Sequence, residues 1–356
     1  MADGPGSHPA YLSLLASGEI DRRVERAREI MRSCVLCGRR CRADRLRGVA
    51  GAACGTGERA VVSAYHPHHG EEEVLRGSRG SGTIFFGSCN LRCQYCQNWE
   101  ISQSALGREV APVEIAEMML DLERRGCHNV NLVSPSHQVA QILAAVAIAA
   151  RRGLTLPLVY NTGGYDSPEG LGLLEDVIDI YMPDMKYGDS AAGRLYSRVR
   201  DYASVNRAAV REMHRQVGDL VLDERGIARR GLLVRHLVLP AGVANSGRVF
   251  RFLAEEISPD TYVNLMDQYH PAYRAGRTPP LDRRITRQEF ERALGLAEKY
   301  GLRRVNPKTA PAPRMAEVVW LADRRSRGDG GGRFRNRDRR IGGDHDPEPQ
   351  GRRSTS

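Results

Sequence analysis

The chain has 356 residues, 41% of them hydrophobic, with a formal net charge of +10. That length holds one large α/β domain with small appendages, and no apolar run reaches the ~18–20 residues of a membrane span. The charge argues against a nucleic-acid partner: lysine occurs only at Lys186, Lys299 and Lys308 among 53 basic residues, a bias toward arginine rather than a phosphate-binding patch, and ten Arg against six Asp and Glu lie in residues 323–356.

Residues 1–30 carry a short helical pattern (Leu12, Leu15, Ile20, Val24, Ile30) with charged spacing, and no charged-then-apolar signal pattern, so the cytoplasm is the expected compartment. Residues 31–70 are rich in Cys, Arg and Gly and poor in apolar side chains, which predicts a small module where a metal replaces the missing core. Its His66, His68 and His69 read as a polar loop. Residues 80–310 alternate short apolar runs with amphipathic stretches. Strands are predicted at Thr83–Phe86, Asn129–Val133, Leu158–Asn161, Val177–Met182, Leu232–Leu239 and Tyr262–Met266. Helices are predicted from Pro112 to about Arg125, then at Gln138–Arg152, Pro168–Glu175, Ser204–Val217, Gly247–Ile257 and Arg287–Tyr300. The alternation predicts a parallel sheet with helices outside, an α/β fold of partial (β/α)6-barrel type, with its ligand site at the C-terminal ends of the strands. Residues 324–356 contain almost nothing apolar and are expected to be a disordered basic tail.

The eight cysteines are Cys34, Cys37, Cys41, Cys54, Cys89, Cys93, Cys96 and Cys127. Seven fall in two tight groups, a clustering that argues for metal rather than disulfides; Cys127 reads as a buried small residue. Cys89, Cys93 and Cys96 form a C-x3-C-x2-C loop directly after the first predicted strand. Three thiolates grip three irons of a cubane and leave the fourth with an open position, as a catalytic metal centre requires. Cys34, Cys37, Cys41 and Cys54 offer four ligands, a closed shell for Zn²⁺ or for a second Fe–S cluster. Their place before the barrel tips the sequence reading toward a structural metal.

The C-x3-C-x-aromatic-C loop resembles that of the radical S-adenosylmethionine (SAM) superfamily. The stretch Gly80–Phe86 and Cys96-Gln97-Asn98 resemble its pyruvate formate-lyase activating-enzyme branch. The resemblance implies a [4Fe–4S] cluster on Cys89, Cys93 and Cys96 that binds SAM at its open iron. It implies reductive cleavage to a 5′-deoxyadenosyl radical, hydrogen abstraction from a substrate such as a protein glycine, and a low-potential electron donor such as flavodoxin or ferredoxin. It places Tyr95 near the adenine. Asp184 and Lys186 resemble an Asp-x-Lys pair that helps hold the methionine end of SAM, and Lys186 stands out in a chain that otherwise writes arginine. Gln268-Tyr269-His270 resembles a Tyr-His motif that carries His270 toward the SAM carboxylate. At Asn161-Thr162-Gly163-Gly164 the glycines are expected to let backbone approach a ligand. One departure is clear: Ser134-Pro135-Ser136-His137 stands where the family often has Gly-Gly-Glu for the SAM amino group. The competing readings are a radical SAM enzyme acting on another peptide or small molecule, a zinc-ribbon nucleic-acid binder, and a plain ferredoxin.

Overall fold

The computed structural model describes residues 9–104 and 106–308; the predicted basic tail lies outside the described residues. Among the described residues ten strands form one sheet: β1 (Ala60–His68), β2 (Ser81–Phe86), β3 (Arg108–Val110), β4 (Val130–Val133), β5 (Leu158–Thr162), β6 (Ile180–Pro183), β7 (Val221–Leu222), β8 (Ala228–Leu237), β9 (Tyr262–Met266) and β10 (Arg304–Lys308). The order is β10-β9-β8-β6-β5-β4-β2-β1-β3, with β7 beside β8. Pairing is parallel from β2 through β10 along this path and antiparallel at β1, β3 and β7.

The strands β2, β4, β5 and β6 are short and buried nearly throughout, as parallel strands covered on both faces should be. The helices are α1 (Tyr11–Ala16), α2 (Glu19–Ile30), α3 (Glu73–Arg76), α4 (Trp99–Ser104), α5 (Pro112–Arg124), α6 (Val139–Arg151), α7 (Pro168–Leu174), α8 (Ser190–Ser197), α9 (Tyr202–Val217), α10 (Ser246–Phe252) and α11 (Arg287–Lys299). Pro112 opens α5, and Glu114 reaches back to the Ala111 N–H at 2.7 Å. α6 is buried on most of its surface because α2 and α5 both pack on it. Among the described residues no helix is long and apolar enough to cross a membrane.

All six predicted strands are present. The fourth starts at Ile180 instead of Val177, because Val177 and Ile178 turn back on Leu174 and the Asp179 carboxylate accepts from Leu158 N–H (2.9 Å) and Ala10 N–H (3.2 Å). A seventh parallel strand, β10, escaped pattern reading because it is Arg-Val-Asn-Pro-Lys, a polar edge strand with a proline. His66 and His68 are not loop residues: they lie in β1, their rings against Phe85. Residues 31–70 are continuous with the barrel, since Cys34 and Leu36 join the main core and Gln141 of α6 donates to Glu58 O at 2.7 Å. Cys127 is buried in that core.

A candidate cluster and cofactor site

The C-terminal ends of the parallel strands release the segments that build the site. β2 ends at Phe86, and Cys89, Cys93 and Cys96 follow, their loop held by Arg92 N–H to Ser197 O (3.2 Å) and Gln94 N–H to Tyr196 O (2.8 Å). Each sulfur meets a hydrogen-bonding neighbour: Leu91 N–H donates to Cys89 Sγ at 3.3 Å and the Cys89 thiol reaches Asn90 Oδ1 at 3.8 Å, while Ser197 Oγ and Ser102 Oγ lie 3.0 and 3.1 Å from Cys93 and Cys96 Sγ. Such contacts orient thiolate ligands and tune a cluster.

Burial pushes the Cys89 thiol up to about 12, with the neighbouring Cys93 adding to it. Burial pushes Cys93 up to about 11, partly offset by Lys186. Two thiols that resist ionising alone, Cys89 and Cys93, gathered with Cys96 on one loop beside a cation, are a donor set that fits iron, which deprotonates coordinating thiols outright. Cys89, Cys93 and Cys96 would therefore hold the cluster, and the chemistry it supplies is single-electron transfer to a bound sulfonium.

Lys186 Nζ meets Asp184 Oδ2 at 2.5 Å, just past the end of β6. Burial works to lower the ammonium's pKa, but Asp184 and then Cys93 outweigh it and the net shift is well upward, so Lys186 stays charged beside the cysteines. Tyr202 holds this loop, accepting from Lys186 N–H (3.0 Å) and bonding Asp184 O and Gly163 O. His270 is brought from beyond β9 to the cysteine loop: its Nδ1 lies 3.3 Å from Gln97 Nε2, one residue past Cys96. Asn161 is nearly buried at the end of β5, and among the described residues its amide makes no hydrogen bond.

Tyr95 is buried edge-on to Tyr187 and Tyr269. It belongs to an aromatic shelf of six tyrosines, with Tyr165, Tyr196 and Tyr202. Sequence reasoning missed this shelf, and with it Ser197 and Ser102. The signal available was the run of Tyr187, Tyr196 and Tyr202 between two strands of the barrel.

Where Gly-Gly-Glu was absent, Ser136 Oγ is committed to Thr162 Oγ1 (2.8 Å), and Thr162 donates to Asp166 Oδ2 (2.7 Å), so this hydroxyl is structural. The close approach at Gly164 is to protein: a Cβ there would sit 2.2 Å from both Asp184 O and Asn206 Nδ2.

Residues 83–218, from β2 to the C-cap of α9, match the radical SAM superfamily. The chain is also 33% identical over 293 residues to an uncharacterized protein of Methanocaldococcus jannaschii, a similarity covering 80% of this chain and 79% of that one. The chain belongs to the radical SAM superfamily. Its radical SAM domain makes it an enzyme of that class rather than a plain ferredoxin, with a [4Fe–4S] cluster and SAM as the family's cofactors.

Proposed function

We propose that the protein cleaves SAM reductively at Cys89, Cys93 and Cys96 and uses the resulting radical to abstract hydrogen from a protein glycine, in the manner of a glycyl radical enzyme activase. The observation that carries the SAM reading is the placement of the charged Lys186–Asp184 pair beside Cys93 at the end of β6. Lys186 and His270 approach the cluster loop from different strands, where they would bind the carboxylate of the methionine end. Asn161 offers an uncommitted side-chain amide to its amino group where Gly-Gly-Glu is missing. Bound at the three thiolates, a [4Fe–4S] cluster supplies the single electron the cleavage needs. The buried tyrosine shelf excludes water behind the reacting groups.

The electron donor is proposed to dock on the outer side of the loop, where a cleft of about 240 Å³ is lined by Arg92, Arg198 and Arg274 with Gln94, Gln103 and Tyr273. Among the described residues none of the three arginines is in an ion pair, which suits an acidic donor of the flavodoxin or ferredoxin kind.

The test is anaerobic reconstitution with iron and sulfide, followed by SAM and dithionite. 5′-Deoxyadenosine by mass spectrometry is expected; its absence from protein with full cluster occupancy sinks the reading. Adding a glycyl radical enzyme should give the doublet EPR signal of a glycyl radical. Formation of 5′-deoxyadenosine without that signal supports the other radical SAM specificity, on a peptide or small molecule.

A further inference from the structure

Arg45, between α2 and β1, is only 1% exposed. It donates to Thr56 O (2.9 Å), Thr56 Oγ1 (3.0 Å), Gly57 O (3.1 Å), His137 O (2.6 Å) and, at 3.8 Å, Cys34 Sγ. Three carbonyls, a hydroxyl and a thiol surround it, and no carboxylate. A guanidinium cannot shed its proton, and a buried charge without a counter-charge is strongly unfavourable. Of these five acceptors, only the Cys34 sulfur is a group that a bound metal would hold as an anion. Cys54 is one step further, its Sγ 3.1 Å from the Thr56 hydroxyl that accepts from Arg45.

The segment around Arg45 gathers the other cysteines. Cys34 is laced to the residues that follow Cys41 by Cys34 N–H to Ala43 O (3.0 Å) and Arg42 N–H to Cys34 O (2.9 Å). Cys37 and Arg40 close a turn at 3.0 Å. Arg40 and Arg42, on either side of Cys41, take φ of 43° and 58°, left-handed backbone that arginine adopts at a cost. Strain of this kind persists where a surrounding structure requires it, and clusters at ligand-holding loops. Cys37 is buried in the neighbourhood of Cys34 and Cys54. A metal would give Arg45 the counter-charge it lacks: it holds thiols as thiolates, and four thiolates on a dipositive core leave negative charge in excess.

The grouping of the side chains favours one of the two metals left open by the sequence. Four sulfurs bound at about 2.3 Å to one zinc lie roughly 3.8 Å apart. Among the described residues no three Cys, His, Asp or Glu side chains converge to hold a single ion. The same is true of Cys89, Cys93 and Cys96, each of which would serve a different iron of the cluster proposed above. A cubane spreads its thiolates wider in the same way. We propose that Cys34, Cys37, Cys41 and Cys54 hold a second, fully thiolate-ligated [4Fe–4S] cluster, with Arg45 as its buried counter-cation.

This site abuts the first. Arg39 Nε donates to Asn90 O at 2.6 Å and Arg92 Nη2 to Ala53 O at 3.0 Å. Gly38 N–H (3.0 Å) and Asn90 Nδ2 (2.7 Å) share one acceptor, Tyr165 O.

The experiment uses the full chain carrying Cys89, Cys93 and Cys96→Ala, reconstituted anaerobically with iron and sulfide. It is independent of the catalytic reading, because a protein that never cleaves SAM still has an iron count. About four irons and four sulfides per chain are expected. Zinc near one per chain with little iron overturns the cluster, and neither metal overturns the site. Native mass spectrometry of the reconstituted wild type, where no substitution can disturb folding, should show the mass of two cubanes. One cubane alone, or one cubane plus zinc, counts against the proposal. Arg45→Gln should halve the wild-type iron content and Arg45→Lys should restore it; full iron in Arg45→Gln removes the counter-cation role.

Discussion

The two cysteine groups rest on the same support and differ in the cation each has beside it. The Cys89 loop has Lys186, a lysine whose partner Asp184 lies 2.5 Å away and whose side chain keeps a fifth of its exposure. The Cys34–Cys54 segment has Arg45, sealed among carbonyls with no carboxylate. A cation that already has a counter-ion and a path to solvent can exchange partners when a ligand arrives. One with neither is committed to whatever the neighbouring thiols become. Ligand count tells the same story: three cysteines leave a coordination position open, and four close the shell. The open group faces the strand ends where substrates reach a barrel, and the closed one lies behind it.

The largest effect expected from this contrast is on turnover. Cys93→Ala should abolish 5′-deoxyadenosine formation. Cys54→Ser should leave the Cys89 cluster present, with its SAM-perturbed EPR signal. Loss of both signals in Cys54→Ser would merge the two groups into one functional unit.

The next effect concerns the floor they share. Tyr165 O accepts from both groups, and its loop depends on Gly164, at φ 73° with Asp184 O and Asn206 Nδ2 where a Cβ would go. Gly164→Ala should destabilise the protein by about 3 kcal/mol, from overpacking together with a left-handed alanine. Iron should fall at both sites together. Chemical denaturation and iron analysis check this, and loss of iron from one site alone would show that the floor is not shared.

What could be read in advance follows from how local the signal is. The six barrel strands and the helices between them announce themselves within a dozen residues by periodicity and flanking turns, and the Cys89 loop by spacing alone. Lys186 was visible because lysine is rare in this chain. Arg45 was not, for the complementary reason: one arginine among many in residues 31–70 carries no mark until its burial is known. β1 was hidden because Ala60–His68 ends in histidines and a proline, so a strand that pairs with β2 looked like the end of a polar module. The tyrosine shelf needs residues from Tyr95 to Tyr269 to meet, and no window along the sequence contains them.

A smaller effect tests how the Lys186 loop is held. His236 Nδ1 lies 2.6 Å from Met185 O, and its Nε2 2.9 Å from Ser246 Oγ. Burial pushes this imidazole down to about 4, against the opposing pull of the Met185 carbonyl and Asp184. The unfolded chain takes up this proton below about pH 6.5 while the folded one refuses it until about 4. The stability is therefore complete above 6.5 and lost as pH falls toward 4. Between pH 7 and 5 that amounts to about 2 kcal/mol. His236→Gln should flatten urea-derived stability over this window relative to wild type, and an unchanged slope would mean that His236 is not the group titrating.

The smallest predicted effect separates the two cations by kind. Lys186 is a compact point charge, while arginine presents a planar fork on a bulkier head. Its stem passes Gly163: a Cβ there would lie at ordinary contact distance, 3.8 Å, from Lys186 Cε, and 2.8 Å from Leu91 Cδ1. Lys186→Arg keeps the charge beside Cys93 and a partner for Asp184, so the iron content should hold. The wider head cannot reproduce the 2.5 Å contact with Asp184 and also point at a ligand carboxylate. SAM affinity should fall by about tenfold, equivalent to about 1.4 kcal/mol, measured as the SAM concentration that half-saturates the change in the reduced-cluster EPR spectrum. Wild-type affinity in Lys186→Arg would take this residue out of the SAM site. Loss of iron would instead make Lys186 a support for the cluster loop, as Arg45 is for the other, and the contrast between an exchangeable cation and a committed one would fail.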